Sequence, residues 1–312
     1  MVPCIRRFVQ GVDEPVWVEV LNQANRERAY WRAITAEEFL LEQKRPSFDL
    51  EGRFIAEIDG KPAAVAHANV DRFRDDRKGF IRLEVVPEFR GQIERQLVEA
   101  ALGELKARAM TSAQSWAEFA EQERIELFEG LGFKRVRVFS LMEMDLTDLS
   151  ENIGENTQAT IRALDRQLED DIKLYNWLGN ESFKEHFNYR PDTVEETRHG
   201  LLSSPHFMEQ EVFFAVLDGR SVGYVGVGID EKYNLEKNAR AGEIFTIGVL
   251  KDYRRKGVGA RLILHGLETL KARGMTTAIL GVDDSNPTRA IMLYQKVGFE
   301  VKKKDVIFER DL

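Results

Sequence analysis

The sequence predicts an α/β (α+β) chain of two tandem domains, each a mixed, mostly antiparallel central sheet flanked by helices. Three observations carry that expectation. At 312 residues the chain is long enough for two independent cores. It repeats itself: "GRFIAEIDGKPAAVAHANV" from Gly52 is matched by "VFFAVLDGRSVGYVGVGI" from Val212, and "LKARAM" at 105 by "LKARGM" at 270. In both copies an Asp-Gly pair, at 59–60 or 218–219, stands between alternating apolar runs, a strong hairpin signal.

Taken in order, each half opens with a short strand and two helices, marked by "EPVWVEVLNQANRER" and "LEDDIKLYNWLGN". The Asp-Gly hairpin follows, then a third strand, "FIRLEVV" or "EIFTIGVL", a loop and a long amphipathic helix. A second helix ends on "LFEGLGF" or "LYQKVGF", where Gly132 or Gly298 supplies a left-handed stop, and a last strand comes behind it. The segment "DLTDLSENIGENT" is polar and lacks apolar periodicity. It reads as a linker, giving a first domain over 1–146, a linker over 147–157 and a second domain over 158–312.

Register locates a difference between the copies. Arg90 and Arg254 are 164 residues apart, Leu105 and Leu270 are 165 apart, and Gly132 and Gly298 are 166 apart. One residue is therefore missing from the first half within the loop that joins strand to helix.

Composition excludes several classes. The net charge of −8 argues against a nucleic-acid partner, which needs a basic footprint. Cys4 is the only cysteine, so no intramolecular disulfide is expected and a reducing cytoplasm is. The start "MVPCIRRFVQ" lacks the apolar core of a secretory signal, and no run reaches membrane-spanning length, so no membrane partner is expected. The five histidines show no metal-ligand spacing, and no metal site is expected. A monomer or homodimer is anticipated.

In "VLKDYRRKGVGARLIL", Gly257 and Gly259 flank Val258 where strand gives way to helix. The first amides of a helix have no internal partners, and the helix dipole favours an anion there. Removing β-carbons lets a phosphate approach the backbone, and Arg254, Arg255 and Lys256 add positive charge. The constellation suits a diphosphate. The simpler alternative is a glycine-bearing surface turn with solvated basic residues. A Rossmann fingerprint would place its third glycine at Leu262, and no Walker loop occurs. Further on, Asn286, Ala290, Tyr294 and Gly298 recur at four-residue intervals, a spacing that forms one stripe on a helix.

Arg254-x-x-Gly257-x-Gly259, followed by Asn286-x-x-x-Ala290-x-x-x-Tyr294-x-x-x-Gly298-Phe299, resembles the acetyl-CoA signature of the GNAT superfamily of N-acetyltransferases over residues 212–310. The tandem layout with an intact second half also resembles mycothiol synthase-like proteins. The resemblance implies that the amides of Arg255, Lys256, Gly257, Val258, Gly259 and Ala260 hold the pyrophosphate of acetyl-CoA. It implies that main-chain groups of Ile247 and Val249 pair with the pantetheine arm, with Gly248 marking a bulge that opens the sheet. Asn286 would hydrogen-bond the pantetheine, Tyr294 would protonate the departing thiolate, and Glu243 would serve as general base. The acceptor implied is a primary amine, on a small molecule or a peptide, attacked directly in a ternary complex.

The first half lacks these parts. Where the second half has its two glycines, the first has the deletion and Glu94, whose carboxylate would repel a pyrophosphate. Tyr294 aligns with Phe128, and Asn286 near Ala120. The first half reads as a degenerate pseudo-domain with a structural role. His186, Tyr189 and Arg190 in "FKEHFNYRP" are candidates for acceptor contact or for an ordinary amphipathic segment, and Tyr30 and Trp31 in "AYWRA" for packing. Two readings compete with an enzyme acting on a small amine. One is a non-catalytic acyl-CoA-binding or sensing module, which needs neither Tyr294 nor Glu243; the other is a protein N-terminal or lysine acetyltransferase.

Overall fold

The computed structural model describes residues 3–147, 149, 157–203 and 209–312, so most of the linker expected over 147–157 lies outside the described residues. The first stretch of chain forms β1 (Pro3–Arg7), α1 (Glu14–Asn25), α2 (Ala36–Glu42), β2 (Arg53–Ile58), β3 (Lys61–Val70), β4 (Lys78–Val85), α3 (Glu94–Ala107), β5 (Ser112–Glu118), α4 (Gln122–Gly130) and β6 (Lys134–Asp145). The second forms β7 (Thr160–Ala163), α5 (Glu169–Phe183), α6 (Val194–Ser203), β8 (Glu209–Leu217), β9 (Arg220–Ile229), α7 (Glu231–Lys237), β10 (Ala241–Val249), α8 (Val258–Ala272), β11 (Thr277–Asp283), α9 (Ala290–Val297) and β12 (Glu300–Asp311).

Two compact units result: Met1–Val138 with Asp305–Leu312, and Phe139–Lys304. In unit 1 the strands run β1-β2-β3-β4-β5, antiparallel except for β4 beside β5, and the Asp305–Asp311 part of β12 pairs antiparallel with β5. In unit 2 the order is β7-β8-β9-β10-β11, antiparallel except for β10 beside β11, and the Phe139–Asp145 part of β6 pairs along β11. The strand that follows each Gly-Phe stop thus completes the sheet of the unit built from the other half of the sequence.

Local chemistry accounts for the elements. Asp59 and Gly60 (φ 51° and 76°) and Asp218 and Gly219 (φ 50° and 73°) place positive φ at both central turn positions, as a two-residue hairpin requires. The long helix of each unit buries one face. In α3 it is Leu97, Val98, Ala101, Leu102 and Leu105, and in α8 it is Leu262, Ile263, Leu267 and Leu270. Each fully buried leucine contributes roughly 1.5–3 kcal/mol. Gly132 and Gly298 stop α4 and α9 with φ of 82° and 117°. Among the described residues no helix is long and apolar enough to cross a membrane, and no group of His, Cys, Asp and Glu could hold a metal ion.

Candidate active site

The site of unit 2 begins where two strands part. The parallel pairing of β10 with β11 covers only Ala241–Glu243 against Thr277–Ile279. Beyond it the strands diverge, and a cavity of about 1110 Å³ opens between them, lined by Thr246, Ile247 and Val249 on one side and by Leu280 to Asp283 on the other. Among the described residues, main-chain groups of β10 beyond Glu243 have no strand partner on this side, the arrangement that accepts an extended chain as an added strand.

The divergence is helped by a bulge. The register of β10 against β9 shifts between Ile244 and Thr246, so Phe245 is the extra residue. Gly226 stands where any β-carbon would collide with the Phe245 ring. The bulge is therefore at Phe245 and not at Gly248, where the sequence placed it. Gly248 answers a different constraint, since a β-carbon there would lie 2.6 Å from the ring of Tyr224 and 2.9 Å from Cβ of Ser182.

After β10 the chain makes a short 3-10 turn, Lys251–Tyr253, and then takes left-handed conformations at Arg255 (φ 64°) and Gly257 (φ 79°) before α8 starts. Val258 is fully buried and anchors the helix start. No acidic residue occupies the first turn of α8. A β-carbon on Gly259 would make only ordinary contacts, 3.6 Å to Leu293 and 3.8 Å to Val249, so packing within the protein does not demand glycine there. What the glycine leaves clear is the cavity wall at the helix start, a cradle that fits a diphosphate.

Arg254 lines the cavity too, and its side chain is engaged within the protein. Its Nη1 donates to Glu185 Oε2 (2.9 Å), Nη2 to the carbonyl of Ser182 (3.0 Å) and Nε to the carbonyl of Val249 (3.1 Å). This side chain ties the end of α5 to β10. Arg255 and Lys256 are exposed, and the Lys256 ammonium sits 5.1 Å from the Tyr253 ring centre.

Asn286, Ala290 and Tyr294 all line the cavity, but the helix begins only at Ala290. Asn286 lies in the preceding turn, where its Oδ1 accepts from the amide and the hydroxyl of Thr288, both at 2.8 Å. With that oxygen engaged, its NH2 is the donor it can offer to a ligand. Tyr294 is 6% exposed, and burial pushes its phenol up to about 12, so at neutral pH it holds its proton. Glu243 stands at the last paired position of β10; burial, helped by the carboxylate of Asp230, raises its carboxyl to about 7. The cavity lining starts at the next residue, Ile244.

His186 lines the cavity, with its ring centre 4.2 Å from that of Phe183. Arg190 is committed to Glu196, at 2.5 and 2.7 Å. In unit 1, Trp31 packs with the cluster around Trp17, its ring 5.6 Å from the Arg82 guanidinium. Sequence reasoning missed Ser182, Thr246, Gly281 and Phe139 in the cavity wall. Phe139 had no signal, because it precedes the linker and joins unit 2 only through the register of β6.

The cleft thus combines a splayed parallel strand pair, a helix start without acidic residues and a protonated phenol. The acetyltransferase (GNAT) family model matches residues 17–133 and again 172–299, and the chain belongs to this family and is an N-acetyltransferase. It is 27% identical over 261 residues to a mycothiol acetyltransferase of Acidothermus cellulolyticus, covering 81% of this chain and 77% of that one. In fold it resembles a tandem GNAT protein from the clavulanic acid biosynthesis pathway (TM-score 0.76, 13% identity, 99% of this chain and 98% of that one). It also resembles a GCN5-related N-acetyltransferase from Sphaerobacter thermophilus (TM-score 0.69, 21% identity, 99% and 95% covered).

Proposed function

We propose that unit 2 transfers the acetyl group of acetyl-CoA to a primary amine by direct attack, and that unit 1 binds no acetyl-CoA. The observation that carries this reading is the coincidence, in unit 2, of an open edge on β10 with a helix start free of acidic residues. Amides from Arg255 to Ala260 hold the pyrophosphate, the edge at Ile247 and Val249 takes the pantetheine arm, and the NH2 of Asn286 supports it. Acetyl-CoA supplies an acetyl group activated as a thioester.

Glu243, with its carboxyl raised to about 7, takes a proton from the acceptor's ammonium through a water, since the cavity lining on β10 starts only at the next residue. The freed amine nitrogen bonds to the acetyl carbon as the carbon–sulfur bond breaks. Tyr294, still protonated at neutral pH, gives its proton to the leaving thiolate, and the second proton that the nitrogen sheds on becoming an amide restores the phenol. Likeness to relatives named mycothiol acetyltransferases makes a mycothiol-related amine the first acceptor to try.

The test is release of free CoA from acetyl-CoA with a mycothiol-related amine, simple amino acids and short peptides as acceptors. Acceptor-dependent release with a small amine is expected. Tight acetyl-CoA binding with no release for any acceptor would replace this reading with a sensing module. Release with peptides alone would point to a protein acetyltransferase.

A further inference from the structure

Ser182 is the next-to-last residue of α5 and is 3% exposed. It lines the cavity, and its Oγ is buried with no hydrogen-bond partner among the described residues. A buried hydroxyl left unpaired works against folding, so its presence calls for an explanation.

Its position is held from two sides. Gly248 lies directly beneath: a β-carbon there would come within 2.9 Å of Ser182 Cβ and 3.0 Å of its Oγ, so only glycine lets the end of α5 settle this low on β10. From the side, Arg254 grips the carbonyl of Ser182 with Nη2 while its Nε holds the carbonyl of Val249. Thr246 precedes Gly248 on the same face of the strand, and its hydroxyl is engaged with that of Tyr224 at 3.3 Å. Of these two hydroxyls on the cavity wall, Ser182's is the one without a partner.

We propose that Ser182 Oγ hydrogen-bonds an amide of the ligand arm lying along the Ile247–Val249 edge, and that Arg254 is a positioning residue for that hydroxyl. This rests on the reading of the cleft as an acetyl-CoA site. A hydroxyl is suited to the task because it can donate to an amide carbonyl or accept from an amide N–H. Three of the five N–H donors of Arg254 are used within the protein, which gives its place in the loop a purpose besides phosphate contact.

The experiment compares wild type with Ser182→Ala in calorimetric titrations against acetyl-CoA and against ADP, which carries the diphosphate but no arm. Ser182→Ala should weaken acetyl-CoA binding about tenfold, the usual scale for one lost hydrogen bond, and leave ADP unchanged. The same substitution should raise the melting temperature of the ligand-free protein, because it removes an unpaired buried hydroxyl. A residue with a merely structural role would not move stability and affinity in opposite directions. Arg254→Lys, which keeps the charge but cannot span three acceptors, should likewise weaken acetyl-CoA and spare ADP. Equal acetyl-CoA affinity in wild type and Ser182→Ala would overturn the Ser182 contact and leave the cleft's assignment standing. Parallel loss of both ligands in Arg254→Lys would return Arg254 to the phosphates. A wild-type protein that binds no acetyl-CoA would overturn the reading of the cleft, and this inference with it.

Discussion

The two helix starts, one in each unit, face the same problem and solve it differently. In unit 2 the first turn of α8 carries no acidic residue, and Gly257, Gly259 and Ala260 line the cavity. In unit 1 the first turn of α3 closes on itself, as Glu94 Oε1 accepts from the amide of Gly91 at 2.7 Å and Oε2 from that of Ile93 at 3.1 Å. The carboxylate does for these amides what a bound phosphate would do, and it travels with the chain.

Side chains also satisfy backbone groups along the matching strands of unit 1. Pairing of β4 with β5 also stops early, after Phe80 and Gln114, so β4 too has carbonyls without a strand partner. Ser115 Oγ donates to the carbonyl of Ile81 at 2.9 Å, and Arg124 Nη2 to that of Leu83 at 2.6 Å. Strand register places Trp116 where unit 2 has Gly281, above which a β-carbon would meet open space. The Trp116 ring lies under two guanidiniums, Arg28 at 4.8 Å and Arg124 at 5.2 Å. Phe80 stands at the Glu243 position, and Phe128, fully buried against Phe133 and Phe308, at the Tyr294 position. The strand of unit 1 also pairs with β3 without a register shift, so it lacks the residue corresponding to the Phe245 bulge. A buried polar group must find a partner. In unit 1 side chains supply those partners.

The comparison breaks most sharply at the helix start. Gly259→Glu copies the carboxylate of unit 1 into unit 2, where the fold has room for a small side chain but the cradle does not. Calorimetry on the wild type should give one acetyl-CoA per chain, and the variant should give no measurable binding with its thermal transition retained. Two sites of similar affinity in the wild type would refute the idea that Glu94 closes unit 1.

Much of this contrast was legible in the sequence, because it is written in residues whose chemistry is local. Gly257, Gly259 and the shortened loop bearing Glu94 announce one open and one closed helix start. Gly132 and Gly298 mark helix ends by the φ only glycine adopts readily. The parts that stayed hidden depend on what lies across from a residue. An eight-residue run such as "EIFTIGVL" does not show that Phe245 is a bulge, since the extra residue is defined only by its partner strand. The repeat puts a last strand behind each Gly-Phe stop but cannot say which edge it joins, and Phe139–Asp145 lies along β11 while Asp305–Asp311 lies along β5. Nothing in the spacing reveals that Arg254 also reaches the carbonyls of Ser182 and Val249.

Tyr294→Phe makes unit 2 resemble unit 1 at a single atom. The ring packs 6.1 Å from Phe299 and keeps that contact, so acetyl-CoA affinity should hold while turnover falls by about 10²–10⁴-fold, the range for one lost proton donor. Pre-steady-state measurement of the chemical step is the decisive readout. An unchanged rate constant there would make Tyr294 a packing residue like Phe128.

Glu243→Gln should have the smallest effect of the three at neutral pH, where the wild-type carboxyl, raised to about 7, is half protonated. The acid form cannot accept a proton, so wild-type activity should climb as pH rises through about 7. The variant should be slower, on the order of tenfold, and should climb only toward the higher pKa of the acceptor amine. Stability supplies an independent sign. A carboxyl whose folded pKa is raised from 4.5 to about 7 favours folding fully below the unfolded value, and that contribution is lost as pH rises through the folded one. Glutamine stays neutral throughout. The variant should therefore match wild type in thermal denaturation near pH 4 and exceed it above pH 7, by up to about 3 kcal/mol at 1.36 kcal/mol per unit. A base that is buried for catalysis costs stability in its active form, so slower turnover and a higher melting temperature at pH 8 should appear together. Slower turnover with unaltered stability would mean that Glu243 is solvated. The limb near pH 7 would then belong to another group in the cleft.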